Sequence, residues 1–272
     1  MQKLTRSLPE EAHHMAFLGL RKVVEFQDIG YGAEYLSVLE RIALQDRQSG
    51  GTERHFEFTV TAAKYLANAM TYDDVIRVAR IKTSHHRRIR IENDMGLGPD
   101  QILGTTEFMH PRMEEIASIL PSGFARWLKG RHRLYAWLDR RINKGRRIRT
   151  YSLPGFLLLY LIGGLKPLRR RSLRHEIEVA HRDEWLARST DALEKNYALG
   201  VAILRFQRLI KGYSDTHSRG HSKFDKVMQT AMSISDRDDA ASWADRLLSS
   251  ALKDGAGDDL DGTIQTIRSF AT

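Results

Sequence analysis

Cysteine is absent from all 272 residues. That excludes disulfides, zinc held by thiolates, iron–sulfur clusters on this chain's own ligands and a cysteine nucleophile. Several short motifs are missing as well. No G-x-G-x-x-G follows a strand, and no G-x-x-x-x-G-K-[ST], H-E-x-x-H or G-x-S-x-G occurs. Dinucleotide, P-loop, zinc-protease and nucleophile-elbow chemistry therefore have no local footprint. There is no internal repeat and no low-complexity tract. The longest apolar run, Leu153 to Leu165, falls well short of the roughly 20 residues that span a bilayer. It reads as a buried core helix, with a membrane-surface contact as the lesser reading. The opening MQKLTRSLPEEAHH carries no apolar core before a small-residue cleavage site, so a cytoplasmic protein is expected.

Acidic residues are scarce in one stretch. Between Arg126 and Arg174 fifteen Lys/Arg face a single acid, Asp139, a local net of +14 in a chain whose total is +9. The remainder sums to −5, and Asp225 to Asp261 holds nine Asp. A field this asymmetric can steer an anionic partner or dock an acidic protein surface.

What is present is mostly helical periodicity. Hydrophobic residues are 42% and charged residues 28%, the balance of a globular chain. Ser7 and Glu10 are spaced as a capping box for a first helix through Val24. Phe56, Val60, Ala63, Ala67 and Met70 mark one apolar face. Thr71 to Asp74 caps a helix from Val75, Ser152-Leu153-Pro154 caps the apolar helix, and Phe124 to Ile142 reads as one helix. An all-α, bundle-like fold follows, with one small β-hairpin near residues 81–91 and 146–151. The division expected is an N-terminal helix at 1–29 and a helical domain at 30–272, with a subdivision near 96–106.

The segment RLIKGYSDTHSRGHSKFDKV, 208–227, concentrates hydrogen-bonding groups in what reads as a loop, where binding tends to sit. Lys211, Asp215, His217, Arg219 and His221 are the candidate ligand or partner contacts. Lys211 and Arg219 suit an anion, and Asp215 suits their organiser. His217 and His221 are spaced i, i+4 and with Asp215 would suit a metal. Gly212 and Gly220 argue against a continuous helix, however, and no further ligand is evident, so no metal is expected. Arg146, Arg147, Arg169, Arg170 and Arg171 form a basic docking surface. Nucleic acid is the rival partner. It is disfavoured because Trp127, Tyr135 and Trp137 are spaced with Leu128, Leu134 and Leu138 like helix core.

Five ordered segments carry a family resemblance: GYGAEYLSVLERI at 30–42, MTYDDVIRVARIKT at 70–83, EFMHPRMEEIASILP at 107–121, GRRIRTYSLPGFLLLYLIGGLKPLRRRSLRHEIE at 145–178 and RLIKGYSDTHSRGHSKFDKV at 208–227. The closing stretch 238–269 fits too. Together they resemble the helical C-terminal region of the beta subunit of bacterial indolepyruvate oxidoreductases, within the 2-oxoacid:ferredoxin oxidoreductases. The resemblance implies a part in oxidative decarboxylation of aryl pyruvates to aryl-acetyl-CoA, with ferredoxin as electron acceptor. It places thiamine diphosphate, magnesium and iron–sulfur clusters on a partner alpha subunit. No cofactor is expected on this chain, which lacks both cysteine and a GDG…NN pattern. Such beta subunits usually begin with a glycine-rich domain bearing a GGQG-type turn, which residues 1–29 are too short to hold. The expectation is a truncated or split product, or a stand-alone helical domain, with a gamma-type glycine-rich domain as a second partner. No catalytic residue is carried over.

Overall fold

The computed structural model describes residues 7–98, 101, 103–212, 215–253 and 258–271, with the backbone alone at 215 and 271. Its described residues are helical apart from one two-stranded ribbon and the connections. The all-α class with a small antiparallel sheet is therefore observed. Two compact units emerge, Met1–Tyr72 with Glu178–Thr272, and Asp73–Ile177. Residues 96–106 fall inside the second.

The first unit holds α1 (Glu10–Phe26), α2 (Ile29–Gln48) and α3 (Glu57–Met70). After the second unit the chain returns through α10 (Leu173–Lys195), whose residues from Glu178 onward belong here. It continues with α11 (Tyr197–Arg205), α12 (Asp215–Ser233), α13 (Ala240–Lys253) and α14 (Asp258–Ala271). One large apolar core joins these helices, from Leu8 and Val23 through Leu39, Phe58 and Leu66 to Trp185, Ile203, Val227, Leu248 and Ile267. The Trp185 indole N–H donates to the Ile203 carbonyl at 3.1 Å, tying α10 to α11. Asp28 accepts from the Tyr31 N–H and Asn196 from the Leu199 N–H, each satisfying an orphan donor at a helix start. Ser7 does not cap α1 as its spacing suggested. Its hydroxyl donates to Glu40, while Pro9 occupies the N-cap position.

A buried network organises the start of α3. The Asp46 carboxylate, fully buried, accepts from the Thr59 N–H (2.9 Å), the Thr59 hydroxyl (2.6 Å) and the Tyr197 hydroxyl (2.8 Å). Tyr197 in turn accepts from the Phe58 N–H at 3.1 Å. Two first-turn amides of α3 thus find partners on α2 and α11, and a carboxylate sits where the helix dipole favours negative charge.

The second unit comprises α4 (Val75–Lys82), α5 (His85–Asp94), β1 (Thr106–Met109), α6 (Met113–Ile119), α7 (Ser122–Gly130), α8 (His132–Ile142), β2 (Arg146–Arg149) and α9 (Leu153–Gly164). The strands pair antiparallel, Thr106 opposite Arg149 and Met109 opposite Arg146, and enclose α6 to α8 between them. This corrects the expected hairpin: residue 146 does begin a strand, but its partner is Thr106–Met109. Residues 81–82 close α4 and 85–91 lie in α5, because Asp74 and Ser84 each cap a short helix, with Thr83 and Ser84 as the break between them. The helix expected over 124–142 is broken at Arg131, which caps α7 and opens α8. A small core of Met113, Ala117 and Leu128, with Tyr135, Leu138 and Ile142 against it, holds α6 to α8 together.

Candidate functional site

The segment read from sequence as a ligand-binding loop is largely helix. Residues 215–233 form α12, so His217 and His221 stand one turn apart on one face. Gly220 interrupts nothing. A Cβ there would lie 2.6 Å from the Leu209 carbonyl oxygen and 3.3 Å from the Ile210 Cα, so glycine serves close packing of α12 against the preceding turn. Gly212, with φ of +70°, supplies the left-handed residue just before the helix.

Facing α12, α10 presents Glu178 and His181, spaced i, i+3. The Oε1 of Glu178 lies 3.2 Å from the Nε2 of His217. The His217 and His221 rings meet edge-on with centroids 4.3 Å apart, and His181 meets His221 in the same way at 4.6 Å. Glu178 is 4% exposed and His217 7%, while His221 and His181 are half-buried. Burial pushes the His181 imidazole below its ordinary pKa. Glu178, Asp225 and Glu184 pull the other way, and His217 adds to the lowering. One ligand atom each from Glu178, His217 and His221 can be chosen so that all lie within 4.8 Å of one another.

Lys211 and Arg219 are exposed, and Arg219 carries contacts of its own. The organising role expected of Asp215 lies outside the described side chains. Sequence reading missed Glu178 and His181. The E-x-x-H spacing at 178–181 was the available signal, and only the fold brings it opposite His217.

The basic surface needs a correction at one position. Arg169 is 1% exposed and forms a two-pronged ion pair with Asp74, Nε to Oδ2 at 2.7 Å and Nη2 to Oδ1 at 3.2 Å. Asp74 also accepts from the Arg77 N–H at 2.6 Å, so one carboxylate caps α4 and anchors the turn after α9. Arg146, Arg147, Arg170 and Arg171 are exposed as expected. Glu107 on β1 is paired with both Lys82 and Arg87. Burial alone would raise its carboxyl, yet the hydrogen bonds and charges of Lys82 and Arg87 outweigh that and hold it below the usual range.

The apolar helix α9 is not core. Only Leu159 and Gly163 are buried, whereas Leu153, Phe156, Leu157, Leu158, Tyr160 and Leu161 are exposed, Leu161 at 68%. One side packs on α4, where Gly163 lets the Arg80 backbone approach. The other sides have no described neighbour that covers them. Two shallow hollows flank the helix. One, about 670 Å³, places Lys82, Arg87 and Arg88 opposite Tyr151 and Phe156, and the other, about 970 Å³, lies between the ribbon arginines and Leu158. Trp127 and Trp137 are also about half exposed, Phe124 stacks on Trp127, and Arg131 and Arg141 cover the two indoles. The expectation that these tryptophans fill a helix core is overturned, while Tyr135 does pack inward.

These features define an all-helical protein with a carboxylate–imidazole cluster inside one unit and an exposed apolar, cationic face on the other. The chain belongs to a family of unknown function, DUF6537, whose model matches residues 12–230. No curated protein and no solved structure matches it. Among the described residues, no helix is long and apolar enough to cross a membrane.

Proposed function

We propose that this protein is a helical, non-catalytic component of a cytoplasmic indolepyruvate:ferredoxin oxidoreductase assembly. It docks through α9 onto the alpha subunit that holds thiamine diphosphate, magnesium and the iron–sulfur clusters, with a gamma-type glycine-rich domain as a further partner. The observation that carries this reading is α9 itself. A run of exposed leucines and aromatics, set in a segment of net +14, is a surface that another protein covers. The five segments resembling indolepyruvate oxidoreductase beta subunits supply the identity of that protein. The absence of cysteine accords with electron carriers on the partner. A partner face with an apolar centre and an acidic rim would complement both the leucines and the arginines beside them.

The test is association of the purified chain with such an alpha subunit, followed by size-exclusion chromatography and calorimetry. A saturable complex that changes turnover of the alpha subunit supports the reading. Leu158→Asp with Leu161→Asp alters two exposed positions and should leave the fold intact. Loss of their partial burial costs about 2 kcal/mol, roughly a 30-fold weaker complex. Separate elution at micromolar concentrations, with turnover unchanged, would sink the idea.

A second reading, nucleic-acid binding, draws on the exposed Phe124, Trp127 and Trp137 interleaved with Arg131 and Arg141, an arrangement on which bases can stack. It predicts oligonucleotide affinity that falls steeply with salt and ignores the α9 leucines. The aliphatic character of α9 favours the protein partner.

A further inference from the structure

We propose that Glu178, His217 and His221 form a binding site for a divalent first-row transition metal, zinc in preference, inside the first unit. This goes beyond the docking reading and stands without it.

The donor set is the first argument. Two imidazoles and one carboxylate are the ligands that zinc and its neighbours take when thiolate is unavailable, and this chain has no thiolate to offer. Hard, oxygen-seeking cations such as calcium and magnesium would want more carboxylates and carbonyls. Geometry is the second. Helix α12 supplies His217 and His221 one turn apart, and α10 supplies Glu178 from the facing helix, so both rigid elements fix the ligands before any metal arrives. Ligand atoms within 4.8 Å of one another need to close to an edge of about 3.3 Å for tetrahedral zinc, which small side-chain rotations provide.

Burial is the third. A carboxylate 4% exposed beside an imidazole 7% exposed has lost most of its water, and a dication between them would compensate that loss. A simple Glu–His ion pair would need only His217. Yet His221 and then His181 continue the cluster, three imidazoles around one carboxylate.

His181 has a separate place in the arrangement. Its Nε2 is buried and makes no hydrogen bond. A buried polar atom left without a partner beside the cluster is the kind of group that a bound water would satisfy. A cleft of about 50 Å³ lined by Glu184, Arg188 and Asp225 among others reaches His181 but none of the three ligands.

The experiment uses the full chain without a histidine tag, stripped with EDTA and titrated with Zn²⁺ alone by calorimetry, with elemental analysis of the dialysed protein. The expected result is one equivalent bound with Kd below about 1 μM. Co²⁺ loading should give the visible absorption of a four-coordinate site. Glu178→Gln keeps the side-chain shape and should weaken zinc at least ~10-fold, and His217→Ala at least ~100-fold. Should His217→Ala fail to fold, the half-buried His221→Asn serves in its place with the same expectation. No saturable uptake by the wild-type chain overturns the proposal. So does uptake that Glu178→Gln and His221→Asn leave unchanged, since the metal would then lie elsewhere.

Discussion

At the scale of single residues, the least exposed polar groups decide most. Asp46 has no exposure, and three hydrogen-bond donors hold its carboxylate. Tyr197 is the one that reaches it from another helix. Burial first, and the neighbouring Asp46 after it, push the Tyr197 hydroxyl well above its ordinary pKa, so it stays a donor at any working pH. Removing that hydroxyl leaves the Asp46 carboxylate one donor short and the Phe58 N–H without its acceptor. Tyr197→Phe should therefore cost about 1–3 kcal/mol, read as a lower urea midpoint with unchanged slope. A midpoint within error of wild type would mean that water replaces the hydroxyl at no cost. Arg169 teaches the same lesson from the other direction. In a run of three arginines nothing local distinguishes the one that turns inward; the distinction lies in Asp74, 95 positions away.

At the scale of elements, legibility followed capping and periodicity. The α3 face from Val60 to Met70 and the cap at Asp74 were readable because each signal is local. Where the fold differed from the reading, a tertiary neighbour supplied the reason. Gly220 looked like a helix breaker, since glycine costs about 1 kcal/mol relative to alanine in a helix. It is retained inside α12 because the Leu209 carbonyl passes 2.6 Å from where a Cβ would stand. The two accounts predict opposite signs. Were helix propensity alone at work, Gly220→Ala would raise stability. Close packing predicts a loss of about 1–3 kcal/mol, because a backbone oxygen cannot swing aside as a side chain can. Thermal unfolding of the variant, followed by circular dichroism, reads the sign directly. The carboxylate–imidazole cluster was half legible for the same reason. The i, i+4 histidines are a sequence fact, whereas the approach of α10 with Glu178 and His181 belongs to the fold.

At the scale of the whole molecule, buried apolar side chains are distributed unevenly between the two units. The first has a continuous core running through its helices, while α6 to α8 of the second close on Met113, Ala117 and Leu128. Local opening takes its free energy from such burial, so the second unit should exchange its amide hydrogens sooner. Within it α9 has two buried residues and a row of exposed leucines, so its amides should be among the fastest of any long helix here. The docking proposal turns this into a contrast between two states. Binding of the alpha subunit should slow exchange across Leu153–Gly164 more than anywhere else, and leave α3 near its original rate. The charge pattern adds a condition: a +14 segment meeting an acidic rim gains most at low ionic strength, so the protection should shrink as salt rises while the apolar part persists. Protection spread evenly over both units would instead indicate general stabilisation on binding. Slowing confined to α7 and α8 would move the contact to Trp127 and Trp137. The latter pattern removes α9 from the interface, because a covered helix cannot exchange as fast as a bare one.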